Sequence, residues 1–164
     1  MESTPNKIIG GSMRLSIITG AVLATLTGIA IAIQSTITSR VGAQIGDMRT
    51  GILTNTMGGV IAGGMMLVWL VREGPEAWKV PPVLIGATAV SGLLGILIIT
   101  GISFSLQRAG VAAGLAGVIF GQLLLSALID SYGIGGAEPI PLTLVRILGL
   151  LVTGFGVYLL LPKA

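Results

Sequence analysis

Residues 80–107 read VPPVLIGATAVSGLLGILIITGISFSLQ and contain no charged side chain. An α-helix rises about 1.5 Å per residue, so roughly 20 apolar residues cross a hydrocarbon core of about 30 Å. This stretch is longer than that, and it is apolar on every face instead of alternating between apolar and polar residues as a half-buried strand would. It therefore predicts a membrane-spanning helix.

Four more uncharged stretches follow the same pattern, and only 9% of the residues are charged. The last of them is short of a full crossing unless its helix begins near Leu142 and Arg146 extends its side chain from the first turn to the lipid headgroups. We expect an all-α transmembrane protein that folds as a five-helix bundle after a short tail at residues 1–14. The expected spans lie at approximately 15–39, 50–71, 82–106, 111–130 and 142–161.

The chain contains no cysteine and no histidine. This excludes disulfide bonds, histidine- or cysteine-based metal sites and catalysis by either residue type. The expected loops are also too short to form a soluble catalytic domain. We therefore expect no enzymatic activity, no cofactor, no metal and no nucleic-acid partner.

The lysines and arginines give the chain no clear orientation in the membrane. Five crossings put the termini on opposite sides, named here side A for the N-terminal side and side B for the other. Because these cations in short loops set topology, we counted them and found five on side A against four on side B. Without a bias, two copies of opposite orientation are expected to form an antiparallel dimer of ten helices. The alternative is that Lys7 and Arg14 impose one orientation on every copy.

Helix four carries the most informative polar residues inside a span. Gln122, Ser126 and Asp130 are spaced four residues apart and so share one face, with Gln122 near the middle of the bilayer. An amide in hydrocarbon costs several kcal/mol unless it finds a partner or a water-filled cavity, so this face is predicted to avoid lipid. Its two interpretations are contact with a solute and a hydrogen-bonded contact between helices.

Further polar residues lie toward side B. Gln34 on helix one and Asn55 on helix two would share a layer with Asp130 of an inverted partner, and we expect both to line a solute path. Solvation at the membrane surface is the favoured interpretation for Ser103. No charged residue lies deep in any span. Coupling to a proton or cation would therefore have to use Asp130, whose alternative role is that of a solvated charge at a helix end.

Glycines are frequent inside the predicted spans, which contain many of the 26 glycines of the chain. Small residues at helical spacing let backbones approach closely in lipid. On helices four and five this pattern predicts packing at Gly117, Gly121, Gly149 and Gly156.

The stretch Gly121–Gly133, GQLLLSALIDSYG, resembles the GQLxxSLxIDxFG signature of the YdcZ family, a half-size branch of the drug/metabolite transporter superfamily. The end of helix one, with Gln34, Ser35 and Gly42, is also similar to that family, although Ser39 replaces its usual asparagine. The resemblance implies a five-helix unit of the bacterial inner membrane that transports small metabolites. Members of the family occur as single dual-topology chains, as paired paralogues or as fused ten-helix proteins.

Together the residues and the resemblance predict a secondary transporter or facilitator of a small solute. It would work by alternating access at the interface of an antiparallel homodimer, or of a heterodimer with a paired paralogue. The alternative is a membrane subunit that transports nothing and packs within a larger complex.

Overall fold

The computed structural model describes the backbone of residues 6–134 and 138–163 and the side chains of residues 17–134 and 138–163. Within these ranges the chain forms five α-helices and no strand, which confirms the all-helical class. The helices are α1 (Asn6–Ile45), α2 (Asp47–Glu73), α3 (Pro82–Ala109), α4 (Val111–Tyr132) and α5 (Leu144–Leu160), and a 3₁₀ turn at Pro75–Trp78 follows α2.

Four of these helices are long and apolar enough to cross a membrane: Ile17–Ile45 of α1 and the whole of α2, α3 and α4. The fifth, α5, has 17 residues, which corresponds to about 26 Å. It begins at Leu144, close to the expected start near Leu142, and Thr143 caps it: the Thr143 hydroxyl accepts a hydrogen bond from the Arg146 N–H at 3.3 Å.

The two links on side B are single glycines. The sequence predicted a link over residues 40–49, but α1 continues to Ile45 and only Gly46 separates it from α2. Gly110 likewise separates α3 from α4. Gly46 (φ 90°, ψ 149°) and Gly110 (φ 79°, ψ 167°) adopt a backbone conformation that is open essentially to glycine alone. A side chain at either position would strain the reversal of the chain.

The chain divides into two compact units, residues 1–34 and 35–164. The first unit contains the N-terminal part of α1, and its described side chains from Ile17 to Ile31 are all exposed. The second unit contains the end of α1 and the other four helices. In it, α2 contacts α3, α3 contacts α4, and α4 contacts α5.

Very little apolar surface is buried within one chain. Among the described residues, Leu106 and Ala113 are the buried hydrophobic side chains, whereas large apolar side chains on every helix are exposed. A soluble protein would not leave such patches uncovered, but lipid solvates them. The close helix contacts within one chain are therefore few.

Candidate functional site

The polar face of α4 is uncovered in the single chain. Gln122 and Ser126 are exposed, and neither side chain makes a hydrogen bond to another described residue. Gln122 lies at the centre of α4, which runs from Val111 to Tyr132. The role of this face stays a prediction, and the Gln122 amide has no hydrogen-bond partner among the described residues.

Asp130 ends this stripe in an ion pair. Its Oδ2 lies 2.9 Å from Nη2 of Arg146 on α5, and the two side chains are 40% and 35% exposed. The guanidinium also donates to the Ile140 carbonyl at 3.3 Å. Arg146 pairs with Asp130 because the α4–α5 link brings the two helix ends together, and its expected reach to the headgroups stays a prediction. Asp130 is therefore not a free carboxylate.

The backbone of the α4–α5 link also converges on Asp130. Its carbonyl accepts hydrogen bonds from the N–H groups of Gly133 at 3.2 Å and Ile140 at 2.9 Å, and the Ile134 N–H donates to the Ile129 carbonyl at 3.1 Å. The bonds from Gly133 and Ile134 close the end of α4 in a Schellman motif. Main-chain and side-chain bonds together fix the position of the Asp130–Arg146 pair.

The side chain of Asn55, a residue of α2, lies at the contact between α2 and α3. Its Nδ2 donates to the Gly51 carbonyl at 2.9 Å, and its Oδ1 would stand 2.9 Å from a Cβ built on Gly95. The described parts of α2 and α4 make no contact, so the chain does not bring Asn55 and Gln122 together. Gln34 is exposed and belongs to the first unit.

The four predicted packing glycines have open space around them. A Cβ built on Gly117, Gly121, Gly149 or Gly156 would meet no described atom within 4 Å. Their packing role therefore stays a prediction that concerns contacts with another chain. Within the chain, different glycines make the close contacts: Gly51 faces Ile96 and Thr100, Gly114 faces Leu106, and Gly154 faces Phe120.

A polar cluster at the side B ends of α2 and α3 was missed by the sequence analysis. Oδ1 of Asp47 accepts hydrogen bonds from the Ser103 hydroxyl and from Nε2 of Gln107, both at 2.6 Å. Nε2 of Gln107 also lies 3.1 Å from Oγ of Ser103. We call Asp47, Ser103 and Gln107 the side B clasp. Ser103 is fully buried, so its expected solvation at the membrane surface is wrong.

Glycine 42 brings the backbone of α1 onto this clasp. A Cβ at Gly42 would collide with the Ser103 hydroxyl and would stand 2.9 Å from both Asp47 Oδ1 and Gln107 Nε2. One signal in the sequence could have revealed part of the clasp, because Ser103 and Gln107 lie four residues apart on one helix face. Their acceptor, Asp47, was placed in a loop, which hid the connection.

No other group of described side chains points to a metal, ligand or catalytic site. They contain no group of three acidic, histidine or cysteine side chains placed to hold a metal ion. A groove of about 350 Å³ lies near the side A end of α2, lined by Met65, Val68, Trp69, Arg72 and Glu73. These residues belong to one helix, and none of the predicted path residues is among them.

Residues 19–159 match a family model described as "Putative inner membrane exporter, YdcZ". No curated protein and no solved structure matches the chain. The matched range covers most of the chain and includes every predicted path residue, the Asp130–Arg146 pair and the side B clasp. The chain therefore belongs to the YdcZ family of the drug/metabolite transporter superfamily, and it is a multi-pass inner-membrane protein with a role in transport.

Proposed function

We propose that the protein is a secondary transporter or facilitator of a small metabolite, working by alternating access at the interface of an antiparallel dimer. The observation that carries the proposal is the exposed amide of Gln122 at the centre of α4. In hydrocarbon an unpaired amide costs several kcal/mol, so lipid is an unfavourable neighbour for it. A second protein surface that encloses a polar path would remove this cost.

The register of α4 supports an inverted second copy. The centre of the helix falls between Gly121 and Gln122. If a second α4 is turned upside down about this centre, Gly121 of each copy stands opposite Gln122 of the other, and Val118 stands opposite Leu125. A small residue thus faces the amide on both sides, which is the self-complementarity that a two-fold interface requires. The balanced count of cations on the two sides supports the same arrangement.

In the proposed dimer, Gln122 and Ser126 contact the solute near mid-membrane, while Gln34 and Asn55 line the path toward side B. Since none of these four side chains is charged, the path suits a neutral or zwitterionic solute better than a polyvalent ion. Proton or cation coupling would act at Asp130. Because Arg146 holds this carboxylate, the coupling ion must displace Arg146 during the cycle.

The test is uptake of a panel of small metabolites into proteoliposomes, with and without a pH gradient. We expect Gln122→Ala to lower uptake about tenfold or more, since one solute hydrogen bond is lost at the centre of the path. Asp130→Asn should abolish only the effect of the pH gradient. Ser105→Ala is the matched control, because this serine on α3 makes no side-chain hydrogen bond to a described residue.

Equal uptake by the parent and the Gln122→Ala protein would contradict the site assignment. If no solute of a broad panel entered the vesicles and the protein instead co-purified with a fixed set of membrane proteins, the alternative of a non-transporting subunit would replace the proposal.

A further inference from the structure

The close contacts between α2 and α3 are confined to the halves of these helices nearest side B. From that end inward they are the Asp47–Ser103 bond, the approach of Gly51 to Thr100 and the approach of Gly95 to Asn55. Thr50, one turn from Asp47, is fully buried. The seam is therefore closed from the side B surface to about the middle of the two helices.

The halves of α2 and α3 nearest side A are different. Every residue of α2 from Thr56 to Trp69 and of α3 from Pro82 to Leu94 is exposed. The glycines in these ranges, among them Gly59 and Gly92, have no described atom within 4 Å of a built Cβ. The pair is thus tied at its side B end and uncovered toward side A, so a contact that opens or closes this seam would have to lie at side B.

We propose that the side B clasp is the gate at the side B end of the transport path, closed in this structure by the hydrogen bonds that Ser103 and Gln107 donate to Asp47. This inference rests on the proposed function. In the other access state the two donors release the carboxylate, and the side B halves of α2 and α3 separate beside Gly42.

The chemistry of the clasp suits a contact that opens and closes. Both donors to Asp47 are neutral, and no described lysine or arginine pairs with this carboxylate. The nearby Arg108 is engaged elsewhere, since its guanidinium lies 3.3 Å from the centre of the Phe104 ring and donates to the Phe104 carbonyl. Asp47 is half-buried at a helix end, so water can replace its two partners on opening.

Labelling of one introduced cysteine measures opening directly, because the parent contains no cysteine. In Thr50→Cys the thiol is buried one turn from Asp47, and in opened membranes a membrane-impermeant thiol reagent reaches it only when the side B seam opens. We expect labelling of Thr50→Cys to be slow but complete. Adding Ser103→Ala should make labelling about tenfold faster, because the clasp then loses one hydrogen bond to a charged group. The matched control, Ser105→Ala, should leave the rate unchanged. A rate that Ser103→Ala does not change, or a thiol that is never labelled, would overturn the gate.

A disulfide lock gives the second measurement. The Thr100 hydroxyl lies 3.9 Å from the Met48 sulfur, so the two side chains face each other across α2 and α3 beside the clasp. The pair Met48→Cys with Thr100→Cys, with bridge formation verified by mass spectrometry, would join the two helices there. We expect oxidation to stop uptake and reduction to restore it. A static seam would tolerate the bond, so full uptake by the oxidised protein would overturn the gate. Labelling needs no solute, so failure of the gate and failure of the transport proposal give different results.

Discussion

The carboxylate of Asp130 and the guanidinium of Arg146 meet at 2.9 Å across the link between α4 and α5. This pair joins the last long helix to the shorter α5, which packs on α4 through Phe120 and Gly154. It therefore ties together the two helices on either side of the α4–α5 link.

We predict that Asp130→Asn lowers the free energy of unfolding by about 1 kcal/mol or less, because both partners are partly exposed and water screens the pair. Arg146→Met should cost more, since it also removes the hydrogen bond to the Ile140 carbonyl. Unfolding in detergent micelles measures both. The exchange of Asp130→Arg with Arg146→Asp should recover part of the loss, and an exchange that is worse than both single variants would show that the charge pair is not what stabilises the link.

The α2–α3 seam gives a matched pair of glycine variants. A Cβ at Gly51 would stand 2.8 Å from the Ile96 carbonyl oxygen, a backbone atom that can move only with its helix. We predict that Gly51→Ala lowers the free energy of unfolding by about 1–3 kcal/mol. Gly59→Ala on the same helix meets open space and should be neutral or stabilising by up to about 1 kcal/mol. Equal effects of the two changes would contradict the closed seam.

The inverted α4 pairing predicts which cysteines form disulfides between copies. Gln122→Cys lies near the two-fold axis and should form a homodimer disulfide on oxidation in membranes. Val118→Cys should not, since Val118 of the inverted copy would lie about 10 Å away along the axis of the α4 helices. A mixture of Val118→Cys and Leu125→Cys chains should form the mixed disulfide. A parallel pairing would instead join each position to itself, and that result would exclude the antiparallel interface.

Mixed orientation predicts two-sided labelling. A cysteine at Lys163, on side B, and one at Glu76, in the side A link, should each be labelled partly by an impermeant reagent applied to intact cells, and fully after the cells are opened. If one position were labelled completely from outside and the other not at all, the chain would have a single orientation.

The sequence predicted the helices well and their contacts poorly. Gaps between charges located the membrane-length helices, because the hydrocarbon thickness acts on each stretch separately. The extension of α1 to Ile45 was missed, since a helix can continue past the lipid and only the backbone of Gly46 ends it. Burial of Ser103 depends on Asp47, which is 56 positions away in the chain.

Glycine spacing failed for a similar reason. Gly117 and Gly121 follow the small-residue pattern as well as Gly51 and Gly114 do, yet among the described residues only the latter two of these four touch a neighbouring helix. The pattern indicates only that one face of a helix lacks large side chains. The links between helices decide which of these faces contacts another helix. The links in turn depend on the local backbone conformations at Gly46 and Gly110.

Those two single-glycine links have a consequence for limited proteolysis. A protease must draw several residues of extended chain into its active site, and neither reversal on side B offers them. Among the described residues, the longer segments between α-helices lie on side A, at residues 74–81, 133–134 and 138–143. A protease added to sealed vesicles would therefore cut only those copies that present side A to it, and the uncut fraction would give the share of molecules in the opposite orientation.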